Sequence, residues 1–472
     1  MNNLLVMKFG GTSMGSADRI RTAAQIAAEQ YAQRPVVCVV SAMSKVTDLL
    51  LDSMRRAEGG DEVDLAADIE NLRQRHLRTM EELLPEPAQE RVRAGIEKLI
   101  GDFERIARGI LMLGVRPPRS LDEAVATGER LSALLMAAYL ETQGISSTDV
   151  NAAEVVVTDA VFGGASPLME QTAQKAEQIL RPMLASKGLP VVTGFNGATA
   201  DGRPTTLGRG GSDFSASILA AALGATELWI WTDVDGIMSA DPRVVGDARV
   251  LDEVTYAEAA ELAYNGAKVL HPRTLAPLVE RKIPVWSKNS FALEKPGTKI
   301  VPRIHGKLGP RAVTSMTKVA LVSLESQSAE LSGTRLMARA VGALGRCNAE
   351  ILALTSSSYR QSFCFLIRQD ELEMVTENLE QDLSIELAHG YVKPIEVDLN
   401  VGLLAIVGEG MRGTPGLAGR IFTAISRDNI NIIAIAQGSS ELTIAVVVRR
   451  DGLETAVRAV HRECGMGETP AA

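Results

Sequence analysis

The chain has 472 residues, of which 46% are hydrophobic and 23% are charged, and its formal net charge at pH 7 is −9. A globular chain of this length holds about two to four domains with cores of their own. Nucleic acids and anionic membranes repel an acidic protein at long range, so the charge argues against both as partners. We therefore expect small-molecule partners, and any anion among them must be bound by local groups.

The cysteines and the apolar runs bear on the cellular location. The four cysteines show no Cys-x-x-Cys spacing, which predicts reduced thiols. No window reaches the roughly 18 apolar residues of a membrane-spanning helix, and the N-terminus has no long apolar region. We predict a cytoplasmic protein.

The first motif follows an apolar run at residues 4–7 and has the sequence KFGGTS at residues 8–13. An amphipathic stretch begins near residue 16, so the order is strand, glycine turn, helix. A Gly-Gly turn before a helix is more often a tight connection than a ligand site. Lys8 changes that balance, because a lysine at a strand end can neutralise charge on a transferring phosphoryl group. Neither the dinucleotide fingerprint nor a Walker loop matches.

Short apolar runs alternate with helical patterns from residue 4 to about residue 300. The clearest of these runs are at 35–40, 190–193, 228–232 and 284–287. Such alternation predicts a mostly parallel, covered α/β sheet. Residues 61–114 are instead rich in Glu, Arg, Leu and Ala, with a break at Pro85 and Pro87, and predict a helical hairpin on the periphery with a solvated charged face.

Two further segments combine glycine with charge. Thr-Gly-Glu-Arg at residues 127–130 interrupts an apolar helical region. It is either a helix-start turn with a surface acid or a segment whose acid is functional. TTLGRGGSD at residues 205–213 is a second glycine-rich turn, and it leads into a small-residue helix at 212–222. Arg209 lies between glycines, where its guanidinium suits a carboxylate or phosphate, while Asp213 is either a first-turn helix acid or a functional group. Two anion-binding turns in one chain suggest phosphoryl transfer.

A loop with the sequence TDVDG at residues 232–236 follows an apolar strand and continues to Asp241-Pro242-Arg243. Its acids lack the spacing of an EF-hand calcium loop. A loop at the carboxyl end of a strand is the usual ligand crevice of an open α/β sheet.

The C-terminal region contains an internal repeat after a predicted linker at about 294–317. Each copy has a strand, a helix, two strands and a trailing helix, which predicts two βαββαβ modules. The first copy has strands at 319–324, 351–355 and 362–367, and the second has strands at 401–407, 431–436 and 443–448. Neither copy contains an evident catalytic constellation.

Six motifs in this order resemble the aspartokinases, which have the amino acid kinase fold. They are at residues 8–13, 41–44, 127–129, 205–213, 232–243 and 266–272. The repeat resembles the paired ACT domains of these enzymes, so the similarity covers essentially the whole chain. The resemblance implies an α/β catalytic domain at 1–300, with the helical insertion at about 61–114, and ACT domains at 318–392 and 398–466.

The same resemblance implies that ATP phosphorylates the side-chain carboxylate of L-aspartate to give 4-phospho-L-aspartate, the first step of lysine, threonine and methionine biosynthesis. The implied catalytic residues are Lys8 and Asp213. The implied substrate-binding residues are Thr47, Glu129, Phe195, Arg209 and Ser212. The implied nucleotide contacts are Lys8, Gly10, Gly11, Ser41, Thr232, Asp233, Met238, Arg243 and Lys268. Mg²⁺ is expected on the nucleotide phosphates, without predicted protein ligands, and Met238 stands where many relatives have an aromatic residue.

ACT pairs in this family bind an amino-acid effector, usually lysine or threonine, so we expect feedback inhibition and a homodimer or homotetramer. Residues 434–441 resemble threonine-sensitive members, but Ser356 occupies the matching position of the first copy, which leaves the effector open. The chain length leads us to expect no fused dehydrogenase. Two alternatives remain: a kinase of the same fold for glutamate, N-acetylglutamate, carbamate or a nucleoside monophosphate, and a catalytically silent amino-acid sensor.

Overall fold

The computed structural model describes residues 3–267, 269–306, 308–327, 331–357, 362–411, 413–438 and 442–467. The chain forms two compact units. The first consists of Met1–Ile237, Asp252–Tyr256 and Leu270–Ile304, and the second of Met238–Leu251, Ala257–Val269 and His305–Ala472. Two segments from the first 300 residues therefore belong to the unit that also contains the predicted repeats.

The part of the chain up to residue 304 alternates strands with helices. Its strands are β1 (Leu5–Phe9), β2 (Val36–Val40), β3 (Ser147–Val150), β4 (Val157–Thr158), β5 (Leu189–Thr193), β6 (Asn196–Thr199), β7 (Pro204–Thr206), β8 (Glu227–Thr232), β9 (Glu253–Thr255), β10 (Val285–Asn289) and β11 (Thr298–Val301). Its helices are α1 (Ala17–Tyr31), α2 (Val46–Glu58), α3 (Glu62–Leu83), α4 (Glu86–Leu113), α5 (Pro118–Val125), α6 (Thr127–Thr142), α7 (Met169–Ala185), α8 (Gly211–Leu223), α9 (Tyr256–Tyr264) and α10 (Pro272–Arg281).

The central sheet of the first unit has the strand order β3-β5-β2-β1-β8-β10-β11-β9 among the described residues. Its pairs are parallel except for β10 with β11. Every residue of β1 and β2 is buried, as expected for strands that are covered on both faces. The mostly parallel, covered sheet is confirmed. A smaller sheet in the order β4-β6-β7, formed by strands between residues 157 and 206, was not predicted.

Two long helices occupy the stretch predicted as a hairpin. Pro85 is the N-cap of α4, and Gly114 ends the helix with φ +63°, a left-handed conformation that suits glycine. The apolar stripes of α3 and α4 join the main hydrophobic core through residues such as Leu72, Met80 and Phe103. The charged faces of both helices point outward, where they form ion pairs such as Arg73 with Glu97.

The second unit contains the repeat. Its strands are β12 (Ala312–Met316), β13 (Val319–Glu325), β14 (Ala353–Ser357), β15 (Ser362–Arg368), β16 (Glu396–Asp398), β17 (Val401–Val407), β18 (Ile432–Gln437) and β19 (Thr443–Arg449). Its helices, besides most of α9, are α11 (Gly333–Arg346), α12 (Leu372–Asp382), α13 (Ser384–Ala388), α14 (Leu417–Arg427) and α15 (Leu453–Glu463).

The two modules of this unit have the same sheet order, but the fourth strand of each sheet comes from a different place in the chain. The first sheet is β14-β15-β13-β16, and the second is β12-β17-β19-β18. The strand that completes the second sheet, β12, thus precedes the whole first module in the chain. The sequence predicted three strands in each copy, and the fourth strand of each sheet, β16 in the first and β12 in the second, was missed. The predicted linker at 294–317 is also wrong in part, because it contains β11 and β12.

The two sheets of the second unit share a buried face. Val319 and Leu366 of the first sheet lie in one hydrophobic cluster with Leu403 and Val447 of the second. The opposite face of each sheet packs against the helices of its own module. The two modules therefore form a single sandwich with helices outside.

Candidate active site

The carboxyl ends of three neighbouring strands form the edge at which the predicted site residues lie. Phe9, the last residue of β1, is aligned with Val40 of β2 and with Trp231 of β8. The backbone continues this alignment beyond the strands, because the Ser41 N–H donates to the Phe9 carbonyl at 3.1 Å and the Gly10 N–H donates to the Trp231 carbonyl at 3.1 Å. Ser41, Gly10 and Thr232 are thus adjacent at the edge.

Lys8 and Asp213 form an ion pair at this edge. The distance from Lys8 Nζ to Asp213 Oδ1 is 2.6 Å, and the two side chains are 9% and 22% exposed. Asp213 lies in the first turn of α8, where the helix dipole stabilises a carboxylate. A Cβ on Gly10 would lie 3.3 Å from Lys8 Nζ, so glycine leaves this ammonium open towards the turn. The structure therefore brings together the two residues that the resemblance implied as catalytic.

Glu129 is a buried acid in the first turn of α6. Gly128 allows α6 to approach the chain after β2, since a Cβ there would lie 2.7 Å from Ala42 Cβ and 3.1 Å from Val46 Cγ1. Burial raises the pKa of Glu129 to about 8, although the backbone amides of Ala42 and Glu129 and the charge of Lys8 act in the opposite direction. Its Oε2 has no hydrogen-bond partner among the described residues. Thr47 lies in the first turn of the neighbouring α2.

Phe195 and Ser212 are held together where β5 meets α8. Phe195 has φ +71°, and its N–H donates to Ser215 Oγ at 2.9 Å. A Cβ on Gly194 would lie 2.6 Å from Ser212 Cβ, and a Cβ on Gly211 would lie 2.6 Å from Phe195 Cδ2. Glycine at these two positions lets the loop after β5 contact the first turn of α8.

Arg209 lies between β7 and α8 on a turn with Gly208 at φ +76° and Gly210 at φ +70°. Its side chain is exposed, and it forms no hydrogen bond or ion pair with the described part of the chain. The guanidinium is therefore available for a ligand anion.

A serine bridge that the sequence did not predict lies beyond β8. The Ser290 hydroxyl is 2.8 Å from that of Ser13 and donates to the Thr232 carbonyl at 3.1 Å. Thr232 Oγ1 donates to the exposed Asp233 at 3.2 Å. Ser290 directly follows β10 and lies three residues after the apolar run at 284–287, and this position is the signal that could have indicated it.

Three predicted nucleotide contacts are not among the described residues of the first unit. Met238 and Arg243 belong to the second unit. Within that unit Met238 forms a β-bridge with Val250, and Arg243 Nη2 is paired with Asp241 Oδ2 at 2.6 Å. Lys268 lies outside the described residues.

Comparison with known proteins identifies the family to which this arrangement belongs. A family model described as "Amino acid kinase family" matches residues 3–289, and one described as "ACT domain" matches residues 404–464. Aspartokinase 3, chloroplastic, of Arabidopsis thaliana is 31% identical over 97% of this chain and 80% of that protein. The chain belongs to the aspartokinase family. The predicted fold class, an amino acid kinase fold followed by ACT domains, is confirmed.

Longer relatives and solved structures agree with this aspartokinase assignment. Bifunctional aspartokinase/homoserine dehydrogenase 1, chloroplastic, of Arabidopsis thaliana is 36% identical over 98% of this chain but only 51% of that protein, so the chain spans about half its length. Escherichia coli aspartokinase III in complex with aspartate and ADP matches with a TM-score of 0.84 and 31% identity over 98% of this chain and 99% of that one. Its complex with lysine and aspartate matches with a TM-score of 0.81 at the same identity and coverage.

Proposed function

We propose that this chain is an aspartate kinase that transfers the γ-phosphoryl group of ATP to the side-chain carboxylate of L-aspartate. The observation that carries the proposal is the Lys8–Asp213 ion pair at a glycine-rich sheet edge, in a unit that also offers an unpaired guanidinium at Arg209 and a buried acid at Glu129. An amino-acid zwitterion needs one partner of each sign. The aspartokinase III complex with aspartate and ADP supports both substrates.

In this proposal Arg209 binds the α-carboxylate of aspartate and Glu129 binds its ammonium group. A guanidinium can bind a carboxylate through two parallel hydrogen bonds. The unpartnered Oε2 of Glu129 would accept an N–H of the ammonium. Thr47, Phe195 and Ser212 would line the remainder of the substrate pocket.

Phosphoryl transfer would depend on positioning and charge more than on acid–base chemistry. The side-chain carboxylate of aspartate is ionised at neutral pH, so the nucleophile needs no general base. Lys8 would stabilise the charge that develops on the phosphoryl oxygens, and the Gly10 and Gly11 amides would bind phosphate. Asp213 would hold the Lys8 ammonium in place, as it does in this structure.

ATP and Mg²⁺ are the proposed cofactors. Ser41, Thr232 and Asp233 remain proposed nucleotide contacts at the sheet edge, and Met238, Arg243 and Lys268 remain predictions from the sequence. The described residues contain no group of three or more His, Cys, Asp or Glu side chains that could hold a metal ion. A magnesium ion would take most of its ligands from phosphate and water. Asp213 is the acid nearest to Lys8 and so the nearest acid to the phosphates that Lys8 would contact. A magnesium ion bound beside it would neutralise phosphate charge.

Regulation, assembly and location are further parts of the proposal. The complex of aspartokinase III with lysine supports an amino-acid effector at the ACT domains, lysine or threonine, and we propose a homodimer or homotetramer. No helix in the described ranges is both long and apolar enough to cross a membrane. A cytoplasmic location remains our prediction from the sequence.

The direct test is a substrate panel with ATP in which ADP release is measured. We expect turnover with L-aspartate and at least about tenfold lower kcat/KM with glutamate, N-acetylglutamate, carbamate and UMP, because the panel members differ in length or lack an ammonium. Preference for one of the other acceptors would assign a different kinase activity. No turnover with any of them would leave the chain as a sensor.

A further inference from the structure

We propose that Asp122 is a positioning residue that fixes the turn at residues 207–210, which carries Arg209. This inference rests on the proposed function. Asp122 lies on α5 and is 2% exposed. Its Oδ2 accepts the backbone N–H groups of Gly163 and Thr206, each at 2.9 Å, and its Oδ1 accepts the Thr206 hydroxyl at 2.8 Å. One carboxylate thus binds α5 to the loop at 159–166 and to β7.

The connection to substrate binding runs through the backbone. Thr206 ends β7, and Arg209 follows three residues later on the turn that leads into α8. Since the Arg209 side chain has no partner in the described ranges, the backbone of this turn sets the point from which its guanidinium can reach a ligand. A Cβ on Gly208 would lie 3.2 Å from the Gly163 carbonyl, so the turn rests against the loop that Asp122 holds.

The loop and the strand are also bonded to each other. The Ala165 N–H donates to the Thr206 carbonyl at 2.8 Å, and Arg273 Nη2 donates to the Ala165 carbonyl at 3.2 Å. Asp122 therefore completes a set of bonds in which α5, the loop and β7 each contact the other two. Loss of its acceptors would release the side of the turn that precedes Arg209.

The buried environment of Asp122 favours a role as a hydrogen-bond acceptor that holds the backbone. Burial raises the pKa of this carboxyl group, whereas the hydrogen bonds from Gly163 and Thr206 lower it. A buried acid is costly unless donors satisfy it, and an apolar residue at this position would leave two backbone N–H groups without acceptors. The position therefore requires an acceptor for both N–H groups in a fixed geometry, and an amide oxygen can accept them as well as a carboxylate oxygen.

The experiment compares steady-state kinetics of the full-length wild type, Asp122→Ala and Asp122→Asn. Alanine removes all the acceptors, so we expect KM for aspartate to rise at least about tenfold, while kcat and KM for ATP change less than about threefold. Asparagine can accept both N–H groups and donate to the Thr206 hydroxyl, so its KM for aspartate should stay within about threefold of wild type. This rescue separates geometry from charge.

Two matched controls and one substitute variant complete the design. Glu123→Gln changes the exposed carboxylate next to Asp122 and should leave all constants unchanged. Asp68→Ala removes another buried aspartate, which is bonded to Ser53 and Arg56 in the helical region, and should lower the melting temperature without changing KM. If Asp122→Ala does not fold, Thr206→Val removes one of the three donors and should raise KM for aspartate about fivefold.

The outcomes separate this inference from the proposed function. A wild type without aspartate-dependent turnover defeats the proposed function and the inference with it. An active wild type whose KM for aspartate is unaffected by Asp122→Ala, or by Thr206→Val in its place, overturns the inference alone. The inference also fails if Asp68→Ala raises KM to the same extent, because the effect would then reflect general loss of stability.

Discussion

Lys8 carries a buried positive charge that Asp213 partly neutralises. We expect Lys8→Ala to lower kcat by about 10² or more, the usual effect of losing one preorganised charge in the transition state. Steady-state kinetics with Lys98→Ala, an exposed lysine of the helical hairpin, as the control measure this. A near-normal rate for Lys8→Ala contradicts its role.

Arg209 has a different predicted effect, because its proposed contact is with the substrate and not with the transferring group. Arg209→Ala should raise KM for aspartate by about tenfold or more and change kcat little. Arg203→Ala, on the hairpin between β6 and β7, is the control, since Arg203 is paired with Asp201. An unchanged KM for aspartate would rule out the assigned contact.

Glu129 gives the site a pH dependence. With its pKa near 8, the carboxyl group is mostly protonated in the free enzyme at pH 7. Binding of the substrate ammonium favours the ionised form, so KM for aspartate should fall as the pH rises from about 6 to about 8 and then level off. Glu129→Gln should raise KM and abolish this slope; a wild-type KM that is flat over this range contradicts the assignment.

At the residue scale, sequence motifs indicated the charged groups but not their distances. Lys8 and Asp213 were each proposed as functional, yet their ion pair depends on the packing of α8 beside β1. Asp122 gave no motif, because it is one of two adjacent acids in a short helix and the sequence does not show that Asp122 is buried and Glu123 exposed.

His76 provides a test at the scale of the helical hairpin. The side chain is fully buried in α3, where its Nδ1 donates to the Leu72 carbonyl at 2.7 Å and its Nε2 has no partner among the described residues. Burial lowers the pKa of His76 to about 4 from 6.5. The folded state therefore resists protonation of His76. The contribution of the neutral imidazole to the free energy of unfolding is complete above pH 6.5 and is lost as the pH falls towards 4.

The expected loss from His76 is about 3 kcal/mol in the free energy of unfolding between pH 7 and pH 4. Urea unfolding at both pH values measures it. His76→Gln should reduce this difference, whereas His389→Gln should not, because His389 makes a similar contact with the Ile385 carbonyl from an exposed position. Equal pH dependence in wild type and His76→Gln contradicts this account.

At the element scale, continuous apolar runs predicted β2, β5, β8 and β10, since burial on both faces leaves a strong signal. The polar strands β6 and β7 were missed, because Asn196–Thr199 and Pro204–Thr206 lack both an apolar run and alternation. β12 was missed for another reason: turn residues such as Gly309 and Pro310 precede it, and its pairing partner β17 lies beyond the whole first module.

For the whole molecule, the make-up of the second unit is compatible with the proposed regulation. The segment Met238–Leu251, which contains the predicted nucleotide contacts Met238 and Arg243, belongs to this unit. Ala240 and Val245 lie in one core cluster with Leu404, and the Ser239 hydroxyl is 3.0 Å from His461 Nε2 of α15. A rearrangement of the modules would therefore move this segment.

We expect lysine, threonine or the two together to lower the rate of ADP release at fixed substrate concentrations. Titration of the wild type with each amino acid and with both measures this effect, with glycine as the control. Insensitivity under all these conditions contradicts feedback regulation. The identity of the effector was not predictable, because the second copy with Gln437 resembles threonine-sensitive members, whereas Ser356 and not glutamine occupies the matching position of the first copy.

The most direct measurement is a crystal structure of the enzyme with ADP and L-aspartate. The account predicts the α-carboxylate of aspartate on Arg209, its ammonium on Glu129, and its side-chain carboxylate directed towards Lys8 beside the ADP phosphates. Density that places Lys8 and Arg209 on separate ligands, or aspartate away from both, would contradict it.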